Sequence, residues 1–233
     1  MNGKQVVVET IDLIKRYPMG RQELTALKGV NLKFYRGEFS GVVGPSGSGK
    51  TTLLNIIGTL DTPSAGSVRV LNERVESLSP RRAADLRSRF IGFIFQTFNL
   101  LPVYTVYENV EFPLLLLKLP GKERRKKVLA ALEWVGLIDR ANSKPSQLSG
   151  GECQRVAIAR AVVKEPELIL ADEPTANLDA ENSHHILSTM VKLNQELGTT
   201  FIFSTHDEKV IKFLLRRIKL VDGAVVADEE VKG

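Results

Sequence analysis

The sequence predicts an α/β protein with a mainly parallel sheet, and two observations support that prediction. Short apolar runs, often β-branched, such as Phe39–Val43 and Ile91–Phe95, have the composition of fully buried strands. Longer segments between such runs carry apolar residues at helical spacing, as Ala180–Leu197 does. Strands that alternate with helices form a parallel sheet covered on both faces, because each connection has to return over the sheet.

Turn and capping residues delimit the elements in chain order. Ser79 and Pro80 begin a helix, since serine caps the first turn and proline fits its first position. The Asp222-Gly223 pair predicts a hairpin over 218–227. The predicted strands are 5–8, 27–35, 39–43, 67–71, 91–95, 168–171 and 200–204, and the predicted helices are 51–58, 79–89 and 180–197, with a short one after Asp207.

A helical segment interrupts the alternation between 97 and 164. Val128, Leu132 and Val135 lie on one face of a helix that Gly136 would end, and a second helix begins near Gly150. We interpret 97–164 as a helical subdomain inserted into a core formed by 1–96 and 165–233. The whole chain, 1–233, is then one domain.

Composition restricts the possible functions. The 233 residues carry a formal net charge of +5, which favours contact with anions such as nucleotides, nucleic acid or an anionic membrane surface. The one cysteine excludes an intrachain disulfide. Residues 1–12 do not resemble a signal peptide, and the longest apolar run, 112–119, is too short to cross a bilayer. We therefore expect a soluble protein whose membrane role, if it has one, depends on a partner.

The most informative motif follows the strand Phe39–Val43 and matches the pattern G-x-x-x-x-G-K-[ST]. Such a loop between a strand and a helix turns its N–H groups towards phosphate oxygens. Lys50 would reach the β- and γ-phosphates, and the Thr51 hydroxyl would ligate Mg²⁺. A chance glycine-rich turn is the alternative, which the flanking strand and helix disfavour. The motif comprises Gly44, Pro45, Ser46, Gly47, Ser48, Gly49, Lys50 and Thr51.

Polar residues follow three of the predicted strands. Asp172 and Glu173 come after an apolar strand, where Asp172 would hold Mg²⁺ and Glu173 would polarise the attacking water. His206 follows the next strand and would reach the γ-phosphate, although a histidine at a strand end is usually structural. Gln96 either terminates its strand or contacts Mg²⁺ and the water.

A second phosphate-binding element lies at 148–155. Ser149, Gly150 and Gly151 stand at a helix start, where N–H groups and the helix dipole attract anions. One nucleotide needs only one phosphate loop, so a second element is redundant within a monomer. It is useful if two subunits face each other head to tail and each closes over the other's nucleotide.

These motifs, in this order and over nearly the whole chain, resemble the nucleotide-binding subunit of ABC transporters. The resemblance implies a P-loop NTPase core with an N-terminal antiparallel β part and the inserted helical subdomain. It implies ATP and Mg²⁺ as ligands, a Tyr17 ring stacked on adenine, and Thr52 beside Thr51 in the phosphate site. It also implies that Ser149, Gly150, Gly151 and Glu152 contact the partner's ATP, and that Asn177, Leu178 and Asp179 lie at the dimer interface.

Two longer stretches, 53–61 and 91–102, resemble one branch of this family. The branch includes lipoprotein-release ATPases, macrolide exporters and the cell-division ATPase that pairs with a permease. It implies a homodimer that works with a separate transmembrane permease at the cytoplasmic face of the inner membrane, without nucleic acid. The surface at 97–101 would contact the permease, or its apolar residues would pack into the core.

Three other classes share parts of this pattern. A chromosome or DNA-repair ATPase would carry a long coiled coil between Lys50 and Asp172, and no sustained heptads occur there. A tandem-cassette translation factor would need a second cassette. A phosphate-loop kinase would not need the run at 148–155. The soluble nucleic-acid ATPase remains the alternative to the transport subunit.

Cys153 departs from the family, which mostly has glutamine at this position. One interpretation is a tolerated surface substitution. The other is a thiol with a lowered pKa in the first turn of the helix, whose modification blocks dimer closure.

Overall fold

The computed structural model describes residues 5–20 and 22–231. It confirms the α/β class, with helices around a mostly parallel sheet and an antiparallel sheet near the N-terminus. Of the segment 1–12 that lacks a signal-like pattern, residues 1–4 lie outside the described part. No helix in the described part is long and apolar enough to span a membrane.

The described strands and helices follow the predicted order. The strands are β1 (Val6–Met19), β2 (Gln22–Tyr35), β3 (Phe39–Val43), β4 (Ala65–Val70), β5 (Glu73–Arg74), β6 (Ile91–Phe95), β7 (Leu168–Asp172), β8 (Thr200–Thr205), β9 (Arg216–Val221) and β10 (Ala224–Glu230). The helices are α1 (Lys50–Ile57), α2 (Pro80–Phe90), α3 (Val106–Leu116), α4 (Gly121–Trp134), α5 (Gly150–Val162), α6 (Ala180–Leu197) and α7 (Glu208–Ile211).

Within residues 5–20 and 22–231, the larger sheet has six strands in the order β10-β9-β3-β8-β7-β6. Its members are parallel except β10, which forms the predicted hairpin with β9. Every residue of β8 is buried, as expected for a strand covered on both faces. Because β3, β6, β7 and β8 run the same way, the loops that follow them meet at one edge of the sheet.

The antiparallel sheet has the order β2-β1-β4-β5. The predicted strands 5–8 and 27–35 were too short, since β1 and β2 have fourteen residues each. The β1–β2 pairing shifts register between Thr10 and Leu13, and Asp12 has a φ of 46°. These irregularities break the alternation of buried and exposed positions, which is the signal that marks a strand in a sequence.

Helices α3, α4 and α5 lie in the chain between two neighbouring strands, β6 and β7. Val128, Leu132 and Val135 are buried, as their spacing predicted, and Gly136 follows with a φ of 65°. The division into a core (1–96 and 165–233) and an inserted subdomain (97–164) stays a prediction. Its outermost residues lie outside the described part.

Candidate functional site

The phosphate loop connects β3 to α1 and needs glycine at two positions for steric reasons. Gly49 has a φ of 102°, and a Cβ there would approach the Ala26 carbonyl oxygen to 2.5 Å. A Cβ on Gly44 would approach the Leu220 carbonyl oxygen to 2.1 Å. Helix α1 has no acidic residue in its first turn, so the positive end of its dipole is not neutralised there. The loop therefore offers backbone N–H groups to an anion.

Lys50 lies against this loop. Its Nζ donates to the carbonyl oxygens of Gly44 and Pro45, at 2.8 and 2.9 Å. An ammonium has three N–H groups, so one remains for a phosphate oxygen. The neighbouring Ser48 is buried, and its hydroxyl has no hydrogen-bond partner among residues 5–20 and 22–231.

Oxygen atoms suited to a magnesium ion lie beside the lysine. The Thr51 hydroxyl donates to both carboxylate oxygens of Asp172, at 3.2 and 3.1 Å. Gln96 follows β6 and lines the same cavity. The set consists of a hydroxyl, a carboxylate and an amide, and Mg²⁺ prefers hard oxygen ligands completed by phosphate and water. The donor set therefore fits Mg²⁺.

Glu173 and His206 meet where β7 and β8 end. The His206 Nδ1 lies 2.6 Å from Glu173 Oε1, and the Thr205 hydroxyl donates to Glu173 Oε2 at 3.0 Å. Glu173 has a φ of 46°, which is unusual for a residue with a side chain and is held by its N–H bond to the Ser204 carbonyl. The two strands are neighbours in the sheet and pair in parallel. This pairing brings the two side chains together.

A cavity of about 710 Å³ collects most of the predicted residues. Tyr17, half-buried on β1, forms part of the cavity wall, and its hydroxyl donates to Asp61 Oδ2 at 2.8 Å. Of the predicted site residues, the cavity is lined by Tyr17, Ser46, Gly47, Gly49, Lys50, Thr51, Thr52, Gln96, Asp172, Glu173 and His206. The cavity could hold a nucleotide with its base near Tyr17 and its phosphates on the loop.

The predicted second phosphate element does not line that cavity. Ser149 and Gly150 are exposed at the start of α5. The Ser149 hydroxyl accepts from the Glu152 N–H, and Glu152 Oε2 accepts from the Ser149 N–H, at 3.2 and 2.8 Å. Glu152 is also paired with Arg140, so its carboxylate is engaged within the chain. Ser149 and Gly150 therefore lie on the surface of the chain.

The predicted interface loop lies beside this helix start. A Cβ on Gly150 would lie 3.7 Å from the Leu178 side chain and 3.9 Å from the Asn177 carbonyl oxygen. Asn177 also donates to the Gln96 carbonyl oxygen at 3.0 Å, and Asp179 caps α6. The loop therefore joins exposed Gly150 to the cavity residue Gln96, whereas Gly151 is buried.

Three residues that were not predicted as site residues support the site. Gln154 donates to the Pro174 carbonyl oxygen at 2.6 Å, directly after Glu173. Arg160 donates to the carbonyl oxygens of Phe98 and Asn99, at 2.7 and 2.6 Å, just after Gln96. Asp61 accepts the Tyr17 hydroxyl. Gln154 and Asp61 lie within the runs 148–155 and 53–61, but no local pattern indicates these contacts, because each residue acts through a backbone or ring that is distant in the chain.

Both interpretations of Cys153 were wrong about its surroundings. The side chain is buried, with 9% exposed, and its Sγ lies 3.7 Å from the Pro145 carbonyl oxygen. Burial raises the pKa of the thiol, and the nearby Glu152 carboxylate raises it further. Packing therefore excludes a surface position, and burial with the Glu152 carboxylate shifts the pKa upward, opposite to the predicted direction.

The segment 97–101 divides between its two predicted environments. Thr97 and Asn99 are exposed, whereas Leu100 packs against the cluster of buried side chains to which helices α3 to α6 contribute. Phe98 and Asn99 have φ values of 60° and 50°. The segment is thus a tight turn that combines an exposed surface with core packing.

Comparison with known proteins places the chain in a family. Residues 27–176 match the family model described as ABC transporter. The chain is 46% identical over 222 residues to the lipoprotein-releasing system ATP-binding protein LolD of Geobacter metallireducens. The aligned region covers 95% of this chain and 99% of LolD. It is 46% identical over 231 residues to the ABC transporter ATP-binding protein MJ0796 of Methanocaldococcus jannaschii, covering 97% and 98% of the two chains.

Solved structures give the same result. One is the dimeric post-hydrolysis state of the cassette MJ0796 bound to ADP and Pi, with a TM-score of 0.90 at 46% identity over 97% of this chain and 99% of that chain. A second dimeric structure of MJ0796 also has a TM-score of 0.90, at 45% identity over 97% and 99% of the two chains. The chain therefore belongs to the ABC transporter family, as an ATP-binding subunit and an ATPase.

Proposed function

We propose that the chain binds ATP, dimerises head to tail around two ATP molecules and hydrolyses them to drive a separate membrane permease. One observation carries this proposal: the phosphate loop, Glu173 and His206 line one cavity, whereas Ser149 and Gly150 are exposed outside it. The two predicted phosphate-binding elements of one chain do not line the same cavity. Both can bind nucleotide if one binds the chain's own ATP and the other binds the ATP of a second subunit. The dimeric ADP and Pi complex of MJ0796, at 46% identity, supports this arrangement.

The nucleotide would lie across the cavity. The Tyr17 ring would stack on adenine, because an aromatic face on the cavity wall offers base stacking. The loop N–H groups and Lys50 would bind the β- and γ-phosphates. Thr51, Asp172 and Gln96 would hold Mg²⁺, which supplies neutralisation of charge on the phosphate oxygens.

Hydrolysis would proceed at the edge where β7 and β8 end. Glu173 would accept a hydrogen bond from the attacking water and increase its nucleophilicity. His206 would hold Glu173 on one side and the γ-phosphate on the other, while Lys50 compensates the negative charge that develops on the transferred group. Departure of phosphate would remove the contact between the cavity and the partner's Gly150-Gly151 pair, so the dimer would open.

An apolar groove of about 560 Å³ supports contact with a permease. It lies between the turn after β6 and helix α3, and its walls include Phe95, Leu101, Phe112 and Leu116. Leu116 is 59% exposed and Phe112 is 36% exposed, which favours an apolar segment of a partner as occupant. The named LolD relatives favour a permease of a lipoprotein-releasing type. The subunit would then lie at the cytoplasmic face of the membrane.

The Glu173→Gln variant tests the proposal, because it should bind MgATP without hydrolysing it. We expect light scattering to report a dimer at saturating MgATP and a monomer without nucleotide. Adding Lys50→Ala to this variant should abolish the dimer, since the phosphate contacts are lost. A Glu173→Gln protein that binds MgATP and stays monomeric would contradict the head-to-tail arrangement.

A further inference from the structure

Asp61 lies at the centre of a hydrogen-bond cluster beside the nucleotide cavity. Its Oδ2 accepts the Tyr17 hydroxyl at 2.8 Å. Its Oδ1 accepts Lys15 Nζ at 2.5 Å and the Thr62 N–H at 2.7 Å. Burial by itself would raise the pKa of Asp61, but the hydrogen bonds from Lys15, Tyr17 and Thr62 outweigh burial and lower the pKa. The carboxylate is therefore ionised and held by three donors.

Lys15 completes the cluster. Its side chain is only 10% exposed, and its Nζ also donates to the Thr62 carbonyl oxygen at 2.8 Å. The same Nζ lies over the Tyr17 ring, 4.9 Å from the centroid. The Tyr17 ring is thus fixed at its hydroxyl by Asp61 and over one face by an ammonium group. A ring fixed in this way loses little conformational freedom when a base stacks on it.

The position of Asp61 in the chain connects this cluster to the phosphate loop. Helix α1 runs from Lys50 to Ile57, and backbone bonds from Leu60 and Asp61 to the Asn55 carbonyl oxygen hold the following turn against its end. One short segment, 50–61, therefore carries phosphate-binding groups at its start and the anchor of the aromatic ring at its end. The separation between the base platform and the phosphate site is set by that segment.

We propose that Asp61, supported by Lys15, is a positioning residue for base recognition, which holds the Tyr17 ring in the orientation that stacks on the nucleotide base. This step rests on the proposed binding of ATP in the cavity. Asp61 is not among the residues that line the cavity, so its contribution would go to the base and leave the triphosphate contacts unaffected.

The test compares MgATP with magnesium tripolyphosphate, which has the phosphates and no base, by calorimetry on the full chain. Asp61→Asn should weaken MgATP binding about tenfold, since base stacking is worth roughly that much, and leave tripolyphosphate binding within about twofold. Tyr17→Phe keeps the ring and removes only the hydroxyl, so it should give a similar loss. The double variant should bind MgATP no more weakly than either single variant, because both substitutions act on the same hydrogen bond between the Tyr17 hydroxyl and Asp61. In turnover assays the KM for ATP should rise far more than kcat falls.

Asp85→Asn is the matched control. Asp85 is an exposed aspartate paired with Arg89 on α2, away from the cavity, and its loss should change neither ligand's affinity. Equal weakening of both ligands by Asp61→Asn, or additive losses in the double variant, would overturn the inference. So would an unchanged MgATP affinity in Asp61→Asn. A wild-type protein that binds neither ligand would instead overturn the proposed function, and the inference with it.

Discussion

The Nδ1 atom of His206 lies 2.6 Å from Oε1 of Glu173, although the two residues are 33 positions apart in the chain. Two parallel neighbouring strands, β7 and β8, end at the same edge and bring them together. The Thr205 hydroxyl holds the other oxygen of the same carboxylate. The orientation of Glu173 is therefore set by the strand that follows it in the chain.

Replacing His206 by alanine should separate binding from hydrolysis. The variant loses the imidazole contact to Glu173 but keeps the phosphate loop, so MgATP affinity should change little. We expect the hydrolysis rate to fall roughly 100-fold, the usual contribution of one positioned acid–base group. His185→Ala, on the exposed side of α6, should hydrolyse at the wild-type rate. Normal turnover by His206→Ala would remove His206 from the mechanism.

The Thr51 hydroxyl should be required for the effect of magnesium on ATP binding. Thr51→Val has nearly the same shape and lacks the oxygen that contacts Asp172. We expect the gain in ATP affinity on adding Mg²⁺ to be lost, and hydrolysis with it, because one hard oxygen ligand is missing. Thr51→Ser should restore both. The measurement is ATP titration with Mg²⁺ and with a chelator, and an unchanged magnesium dependence in Thr51→Val would contradict the assignment.

Arg160 should stabilise the turn after Gln96. Its guanidinium donates from two nitrogens to the backbone carbonyls of Phe98 and Asn99, which have positive φ, and a glutamine side chain is shorter and carries no charge. Arg160→Gln should lower the free energy of unfolding by about 2 kcal/mol, the value of a charged hydrogen bond. Urea denaturation measures it, with Arg89→Gln, an exposed surface pair, as the near-neutral control. A change no larger than that of the control would show that the turn holds without Arg160.

The two glycines of α5 should respond differently to alanine. A Cβ on Gly151 would lie 2.6 Å from Asn182 Oδ1, and Asn182 cannot move freely because it is hydrogen-bonded to Asp179. Gly151→Ala should lower the unfolding free energy by about 1–3 kcal/mol, as overpacking does. A Cβ on Gly150 meets only ordinary contacts, so Gly150→Ala should be neutral or stabilise by up to about 1 kcal/mol.

The same pair tests the dimer. In a Glu173→Gln background, Gly150→Ala should fold normally and yet impair MgATP-dependent dimerisation, because a methyl group would stand between the helix start and the partner's phosphate. Denaturation and light scattering on the same samples separate the two effects. Dimerisation at the original MgATP concentration would argue against Gly150 as the partner contact.

The Cys153 thiol should react slowly in the native protein. Burial, followed by the Glu152 carboxylate, raises its pKa, so the reactive thiolate is scarcer at pH 8 than in a free cysteine. We expect maleimide labelling of native protein to be much slower than labelling of glutathione at the same pH. In urea the rate should approach that of glutathione. Fast labelling of the folded protein would show that the thiol is accessible.

The parallel sheet, the phosphate loop and the acidic strand end were predictable from the sequence because their signals are local. Continuous apolar runs such as Phe39–Val43 indicate buried strands, and the spacing of Gly44, Gly49 and Lys50 specifies a loop that only glycine permits. The strand lengths of β1 and β2 were not predictable, since bulges interrupt their alternation. The burial of Cys153 was not predictable either, because it depends on the segment at Pro145 folding over α5.

The amino-acid sequence alone was enough for the fold class and the family, and for a hypothesis about the residues that bind and hydrolyse ATP, since each rests on a pattern of neighbouring positions. The side chains that hold those residues in place follow instead from the three-dimensional arrangement of the chain. Asp61 reaches Tyr17 across 44 positions, and Arg160 reaches Asn99 across 61. Such contacts form when distant segments pack together. They cannot be predicted from the sequence because nothing in the residues beside Asp61 or Arg160 specifies which distant atom each side chain will contact.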